Sequence, residues 1–395
     1  MAAPAPRITY CSNVHPAPDL ATQLQTLRDH VQPIAAAATA AGRSFGLGGW
    51  WSAPLAATLQ HDAGAREELA AALDAAGAPL WTLNVFPYGD FHQEVVKTAV
   101  YEPDWCTDQR LRYTLHCAEA GAALMDDGDV LSLSTLPLGY RPPGAAPADT
   151  RLMAHNFARA VSELAAIEDR TGVRCVLALE PEPNCLLETI EDTAAFLEQQ
   201  LFDEGACPSV SAAKLRRHLG VCVDLCHLAV LDEDPVAALD DLHRRGIEVP
   251  KIQVSSCLEA RSPEGLDELL GFEEPRYLHQ TKAANGARAL DLDRVRARRE
   301  EFAAAGRIRT HYHVPLDWDR EGAFGSTQHQ VRRVLLALAA SSMPAPLLEV
   351  ETYTWSVLGD TFGAAPLHER IQRELDWVAA FWKNGAPEPT VRPLD

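Results

Sequence analysis

"VRCVLALEPEPN", residues 173–184, sets an apolar, β-branched run against two glutamates, and its reading decides the fold. In a strand, residues two apart share a face. Glu180 and Glu182 therefore point the same way from the end of a segment composed like a protein interior. The same texture returns in "LLEVETYTW", residues 347–355, where Glu349 and Glu351 alternate with Leu348 and Val350.

Outward from these two stretches the chain alternates strand-like and helix-like segments. The strand-like runs are "ITYCSNV" (8–14), "SFGLGGW" (44–50), "LWTLNVF" (80–86), "DVLSLST" (129–135), "VRCVLALE" (173–180), "GVCVDL" (220–225), "PKIQVSS" (250–256), "RTHYHV" (309–314) and "LLEVET" (347–352). Helical spacing of apolar residues fills the gaps at 18–41, 64–76, 108–124, 150–170, 189–202 with 211–218, 235–245, 290–305 and 328–341, and again at 366–383. Buried strands alternating with helices predict a parallel sheet covered by helices. A run of this length favours an α/β fold of the (β/α)8 TIM-barrel type over an open sheet. Nine strand candidates compete for eight barrel positions, so 44–50 or 309–314 is expected to be an extra strand outside the barrel. The expected organisation is one barrel domain over 8–383 with a loop insertion at 257–288, a frayed 1–7 and a flexible 384–395.

The 395 residues carry 35 basic and 55 acidic side chains, a net charge of −20. Such a field repels polyanions, so a small-molecule substrate is expected and nucleic acid is not. "GLGG" at 46–49 lacks dinucleotide-loop spacing, so no nucleotide cofactor is expected. No apolar run approaches the length of a membrane span. The start "MAAPAPRITY" shows neither a charged n-region nor an apolar h-region. With nine cysteines and no CxxC pair, the expected location is the cytoplasm, with thiols reduced.

Barrel chemistry gathers at the C-terminal ends of the strands. Polar residues collect there with period two: Asn13 and His15, Asn84, Ser134, Glu180 and Glu182, Asp224 with His227 three residues on, Gln253 and Ser255, His311 and His313, Glu349 and Glu351. Each alone has a plain structural use as a cap, an ion-pair partner or a hydrogen-bonded core group. Together they are costly to bury unpaired. No Lys or Arg is expected among them, Lys251 starting its strand at the opposite rim. Carboxylate oxygens and imidazole nitrogens in one place suit a divalent cation. "FPYGDFHQEVVKTAVYEPDW" (86–105) is expected to close over the site and to offer Asp90, His92 and Lys97 to substrate, with Arg141 after "STLPLGY" as a further contact.

Glu at one strand end, "DLCH" at the next, a later His and Glu on the last strand resemble the xylose-isomerase-like barrels. That superfamily holds sugar isomerases, ketose 3-epimerases, inosose-processing enzymes and endonuclease IV-type proteins. Over most of the chain, "YCSNVHP", "LEPEPNCLLE", "GVCVDLCHLAV", "YLHQ", "HYHVPL" and "LEVETYTWSVLGD" resemble the EboE-type family of ebo gene clusters, known as metabolite traffic proteins. The superfamily pattern implies a divalent metal (Mn, Mg, Zn or Co) held by a Glu of each pair, Asp224 and an imidazole, with His227 touching substrate. The epimerase pattern places a histidine where this chain has Gln253, so the imidazole is expected from His313, His311 or His279.

The working assignment takes Glu180, Asp224, His313 and Glu349 as metal ligands. It takes Glu182, Glu351 and His227 as catalytic residues, and Asn13, His15, Asn84, Asp90, His92, Lys97, Arg141, Gln253, His279 and His311 as substrate contacts. The implied function is a metal-dependent isomerase or epimerase of a sugar or cyclitol, free or phosphorylated, working by carboxylate proton shuttle. A small-molecule hydrolase or lyase on the same metal, or a non-catalytic metabolite carrier, are the competing readings. Homo-oligomers and association with other ebo-cluster proteins complete the expected partners.

Overall fold

The computed structural model describes residues 6–142, 144, 145, 148–342 and 345–382. The expected flexible tail, and all of the expected frayed N-terminus except residues 6 and 7, lie outside the described residues. Among the described residues, thirteen strands form two sheets. In chain order they are β1 (Ile8–Tyr10), β2 (Leu47–Trp50), β3 (Leu80–Asn84), β4 (Val130–Thr135), β5 (Arg174–Leu179), β6 (Leu219–Asp224), β7 (Glu248–Val254), β8 (Cys257–Ala260), β9 (Thr281–Ala283), β10 (Arg288–Ala289), β11 (Ile308–His313), β12 (Phe324–Ser326) and β13 (Leu347–Val350).

Eight of these, in the order β1-β13-β7-β6-β5-β4-β3-β2, are parallel neighbours. The remaining seam lies between β1 and β2. One parallel bridge, Cys11 to Gly48, joins them. Thr9 Oγ1 accepts from Gly48 N (3.1 Å) and donates to Gly46 O (2.6 Å). The sheet is thus a (β/α)8 TIM barrel. Gly48 is needed at that seam: a Cβ there would lie 2.1 Å from Glu349 Oε1 and 2.5 Å from the Tyr10 carbonyl.

The strands are apolar on both faces because one face fills the barrel and the other packs against helices. Every residue of β6 is buried. Between successive strands run the expected helices, among them Ala63–Ala76, Asp108–Ala122 and Arg151–Thr171. Among the described residues, three helices were not separated by the spacing: Ala53–His61, the short Leu225–Leu231 that begins inside "DLCH", and Leu266–Leu270. No described helix is long and apolar enough to cross a membrane.

The ninth strand candidate is resolved by β11. It joins β8, β9, β10 and β12 in a five-stranded antiparallel sheet, so 309–314 lies outside the barrel and 44–50 lies within it. All six residues of β11 are buried, which is why it reads like a barrel strand. The segment 257–288 belongs to this second sheet, which runs on to Ser326 before the chain returns to the barrel through Gln328–Ala340. A buried ion-pair cluster stitches it: Arg309 Nε donates to Glu259 Oε1 (2.8 Å), and Arg261 Nε to Glu259 Oε2 (3.0 Å).

Candidate active site

Asp224 is both the last residue of β6 and the N-cap of Leu225–Leu231. Its Oδ1 accepts from His227 N (2.9 Å) and from Ser255 Oγ (2.8 Å). These two bonds hold the carboxylate so that Oδ2 faces the barrel mouth, buried and without a hydrogen-bond partner. The D-x-x-H spacing is therefore a helix cap that leaves one oxygen to spare. A buried carboxylate oxygen without a partner is costly.

Three more side chains aim there. Glu180, next after β5, has its Oε2 buried and unpartnered. Glu351, next after β13, accepts from Asn13 Nδ2 (2.8 Å) and Asn84 Nδ2 (3.2 Å) at Oε1. Glu180, Asp224 and Glu351 bring one carboxylate oxygen each within 4.8 Å of one another. Burial, then the Glu351 and Asp224 carboxylates, push the Glu180 carboxyl well above its usual range. Burial, then Asp224 and Glu349, push that of Glu351 up to about 8. The fourth is His313 of β11, whose Nε2 is buried, unpartnered and 3.8 Å from Asp224 Oδ2.

The tautomer of His313 is fixed by its other nitrogen. Nδ1 bonds the Glu351 carbonyl oxygen, which can only accept. Nδ1 therefore carries the hydrogen, and Nε2 presents a lone pair, the form in which imidazole ligates metals. Three carboxylates thus share one place, and the imidazole turns its lone pair toward one of them, Asp224. The residues fit a divalent cation.

Beside this cluster stands a second. Glu182 Oε1 accepts from Tyr101 OH (2.6 Å) and Gln280 Nε2 (3.2 Å). His227 Nε2 and His311 Nε2 face each other at 3.2 Å. Burial, then His227 and His313, hold the His311 imidazole well below its usual range.

A small cavity of about 70 Å³ opens onto both clusters. Glu180, Glu182, Glu351, His227, His311 and His313 line it, with Phe86, Phe91, Tyr101, Tyr277 and Tyr353 as aromatic walls. The 86–105 segment does cover the site, through its apolar residues more than its polar ones.

The structure separates the expected residues into those on the cavity and those behind it. Asn13, Asn84 and Lys97 line it. Lys97 Nζ is already committed to Asp291 Oδ2 (2.6 Å) and to the Tyr277 carbonyl (2.7 Å). Glu349 is displaced from the cluster by Lys251: Nζ donates to Glu349 Oε2 at 2.6 Å, both side chains fully buried. The expectation that no cation reaches the acids is thereby corrected. Lys251 runs along the inside of the barrel from two residues below Gln253.

Gln253 lies in the same interior layer, fully buried, with neither amide atom bonded. His15 is turned away, its Nε2 on Tyr10 OH (3.0 Å) and its ring stacked on His30. His279 is tied to the His311 carbonyl (2.9 Å) and Glu274 (2.7 Å) behind β11. Asp90 caps the His92 backbone (2.8 Å), and His92 Nε2 donates to the Asn13 carbonyl (2.7 Å), so neither reaches the cavity. Arg141 is exposed, its backbone bonded to Asn184. Tyr101, Gln280 and Lys251 were not singled out. All three stood in blocks already marked: Tyr101 in the 86–105 segment, Gln280 in "YLHQ" and Lys251 in "PKIQVSS".

No family model matches the chain, and no curated protein does. Among solved structures it is similar to 3-keto-D-glucoside 4-epimerase YcjR from E. coli in its apo form (14% identity, 94% of this chain and 98% of that one, TM-score 0.45). It is also similar to an IOLI protein with a binding zinc atom (10% identity, 96% and 99%, TM-score 0.49). A third is a xylose isomerase domain protein from Alicyclobacillus acidocaldarius subsp. acidocaldarius (13% identity, 95% and 98%, TM-score 0.42). The barrel assignment rests on the strand order rather than on these overlays.

Proposed function

We propose that this chain is a metal-dependent isomerase or epimerase acting on a sugar or cyclitol, in the manner the xylose-isomerase-like superfamily pattern implies. One observation carries the reading: Glu180, Asp224 and Glu351 bring carboxylate oxygens together, and the unpartnered Nε2 of His313 stands beside Asp224 Oδ2. These four would hold the cation. When bound, it would act as a Lewis acid that polarises a substrate carbonyl and acidifies the neighbouring C–H.

The protein's own part is proton movement and positioning. Glu180 and Glu351 come from strands separated in the barrel by β6 and β7, so they reach a bound substrate from different sides. One takes the proton and the other returns it to the second carbon or face. Asn13 and Asn84 keep Glu351 Oε1 in place. Phe86, Phe91 and Tyr353 offer apolar faces to the C–H side of a polyol ring and exclude water. Lys97, the cationic side chain on the cavity wall, is neutralised by Asp291, which favours an uncharged polyol over a phosphorylated one.

The test is solvent exchange. Protein loaded with Mn(II) or Zn(II) is incubated in D2O with free ketoses and inososes, and deuterium is sought at carbon by mass spectrometry. Incorporation that disappears in Glu180→Gln and Glu351→Gln supports the reading. Incorporation that survives both substitutions, or its absence across metal-loaded trials with ligands shown to bind, rejects it.

A further inference from the structure

The chamber at the site and a larger basin outside it share two wall residues, Lys97 and Leu278. The inner chamber measures about 70 Å³ and the outer basin about 810 Å³. Small-molecule pockets run to about 300–1,000 Å³. The basin can therefore admit a substrate, and the chamber as it stands cannot hold one. Between the two lies a seam where the 86–105 segment of the barrel meets residues 274–291 of the second sheet.

Lys97 fastens that seam. Its Nζ directs three donors across it, to the Glu274 carbonyl (3.1 Å), the Tyr277 carbonyl (2.7 Å) and Asp291 Oδ2 (2.6 Å). An ammonium has three donors and no more. The backbone follows the same course, with Val96 N and Lys97 N both donating to the Arg276 carbonyl at 2.8 and 2.9 Å. Lys97 also holds φ at 40°, a left-handed backbone that a residue with a Cβ adopts only at a cost. Contacts across the seam offset that cost, and parting the seam relieves it.

Under the seam sits an apolar cluster separate from the main core, formed by Trp50, Phe91, Val96, Tyr277 and Tyr353. Phe91 meets Tyr277 and Tyr353 at ring-centroid distances of 5.1 and 5.3 Å. Residues 91–96 lie in neither helix nor strand, and Gln93, Glu94 and Val95 are exposed. A segment with a small cluster of its own and few backbone bonds can open without unfolding the barrel.

We propose that the Lys97–Asp291 pair, with Leu278, is a gate between basin and chamber, through which ligands reach the strand-end carboxylates. Opening it joins the two volumes into one site of small-molecule size. The basin carries three basic side chains, Lys97, Arg294 and Arg296, against four acidic ones, Glu273, Glu274, Asp291 and Asp293. That near balance suits the passage of a neutral polar ligand better than that of a strong anion. The gate rests on the seam's own contacts and stands whether or not the chain isomerises sugars.

Thiol labelling tests it without metal or substrate. Tyr353→Cys places a thiol on the chamber wall and Asp293→Cys one in the basin, and iodoacetamide labelling is followed by peptide mass spectrometry. With Lys97 intact, the chamber thiol should label much more slowly than the basin thiol. Adding Lys97→Met or Asp291→Asn should speed the chamber thiol about 10-fold or more, the scale of a lost hydrogen bond to a charged group. The basin thiol should keep its rate, and the buried native Cys175, read in the same digest, should stay unlabelled. Phe86→Cys replaces Tyr353→Cys if that variant fails to fold. Equal labelling of chamber and basin with Lys97 intact overturns the gate, and so does a chamber rate that neither substitution moves. Cys175 labelling in step with the chamber thiol assigns the opening to general unfolding and overturns it too. None of these outcomes bears on the isomerase reading, which deuterium exchange decides.

Discussion

Lys251 Nζ donates to Glu349 Oε2 at 2.6 Å inside the barrel, and both side chains are fully buried. Burial by itself would lower the lysine pKa, yet the Glu349 charge holds it above its usual value, so the ammonium stays charged. Lys251→Met should therefore destabilise the fold by about 3–5 kcal/mol, because it strands a buried carboxylate. The double variant Lys251→Met/Glu349→Leu should recover most of that loss. Urea unfolding of the two measures it; a double variant no more stable than the single one would refute the pairing argument.

The two glutamates around β13 are expected to behave differently. Glu351→Gln should weaken Zn(II) or Mn(II) binding by about 100-fold, the scale of losing a ligand or its support. Glu349→Gln should leave metal binding within a few-fold and lower stability instead. Isothermal titration beside thermal melts separates the two.

Asn13 and Asn84 both donate to Glu351 Oε1. Asn13→Ala removes the shorter bond and should weaken metal binding by about 10-fold with a small change in melting temperature. Unchanged affinity would mean the asparagine serves the fold rather than the site.

Glu374 is buried among acceptable donors, taking bonds from Leu316 N (3.0 Å), Thr352 Oγ1 (2.7 Å) and Trp355 Nε1 (3.2 Å). Burial nevertheless raises its carboxyl from 4.5 to about 8. An acid whose folded pKa is raised lends stability that is complete below the unfolded value and is lost as pH climbs through the folded one. Stability should therefore fall between pH 5 and 8, by up to about 1.4 kcal/mol per unit from this group. Glu374→Gln should remove one proton's share of that slope in denaturant titrations across the window.

Gly48→Ala places a methyl against Glu349 Oε1 and the Tyr10 carbonyl. Because one contact is backbone, the seam between β1 and β2 must shift, and a loss of about 1–3 kcal/mol is expected. A variant with wild-type stability would show that the seam gives way freely.

The barrel was legible because each strand is a short apolar run between helical stretches, a pattern set by local residue order. β11 was ambiguous for a physical reason: a strand buried on both faces looks the same in either sheet. The acids were legible too, since period two places Glu180 and Glu182, or Glu349 and Glu351, on one face. Which member of each pair faces the cavity was not. Lys251 decides one pair through a long flexible stem that enters from below, and Tyr101 with Gln280 engages Glu182 across 81 and 98 positions of chain. Such contacts leave no local trace in the sequence.

The carboxylates of the site stand at the ends of barrel strands, while His311 and His313 arrive on a sheet of their own. A cation held by both is a rivet between two folding units. Every increment of metal affinity is then also an increment in how firmly the second sheet is seated. Hydrogen exchange in β11 and β8 should slow on metal addition.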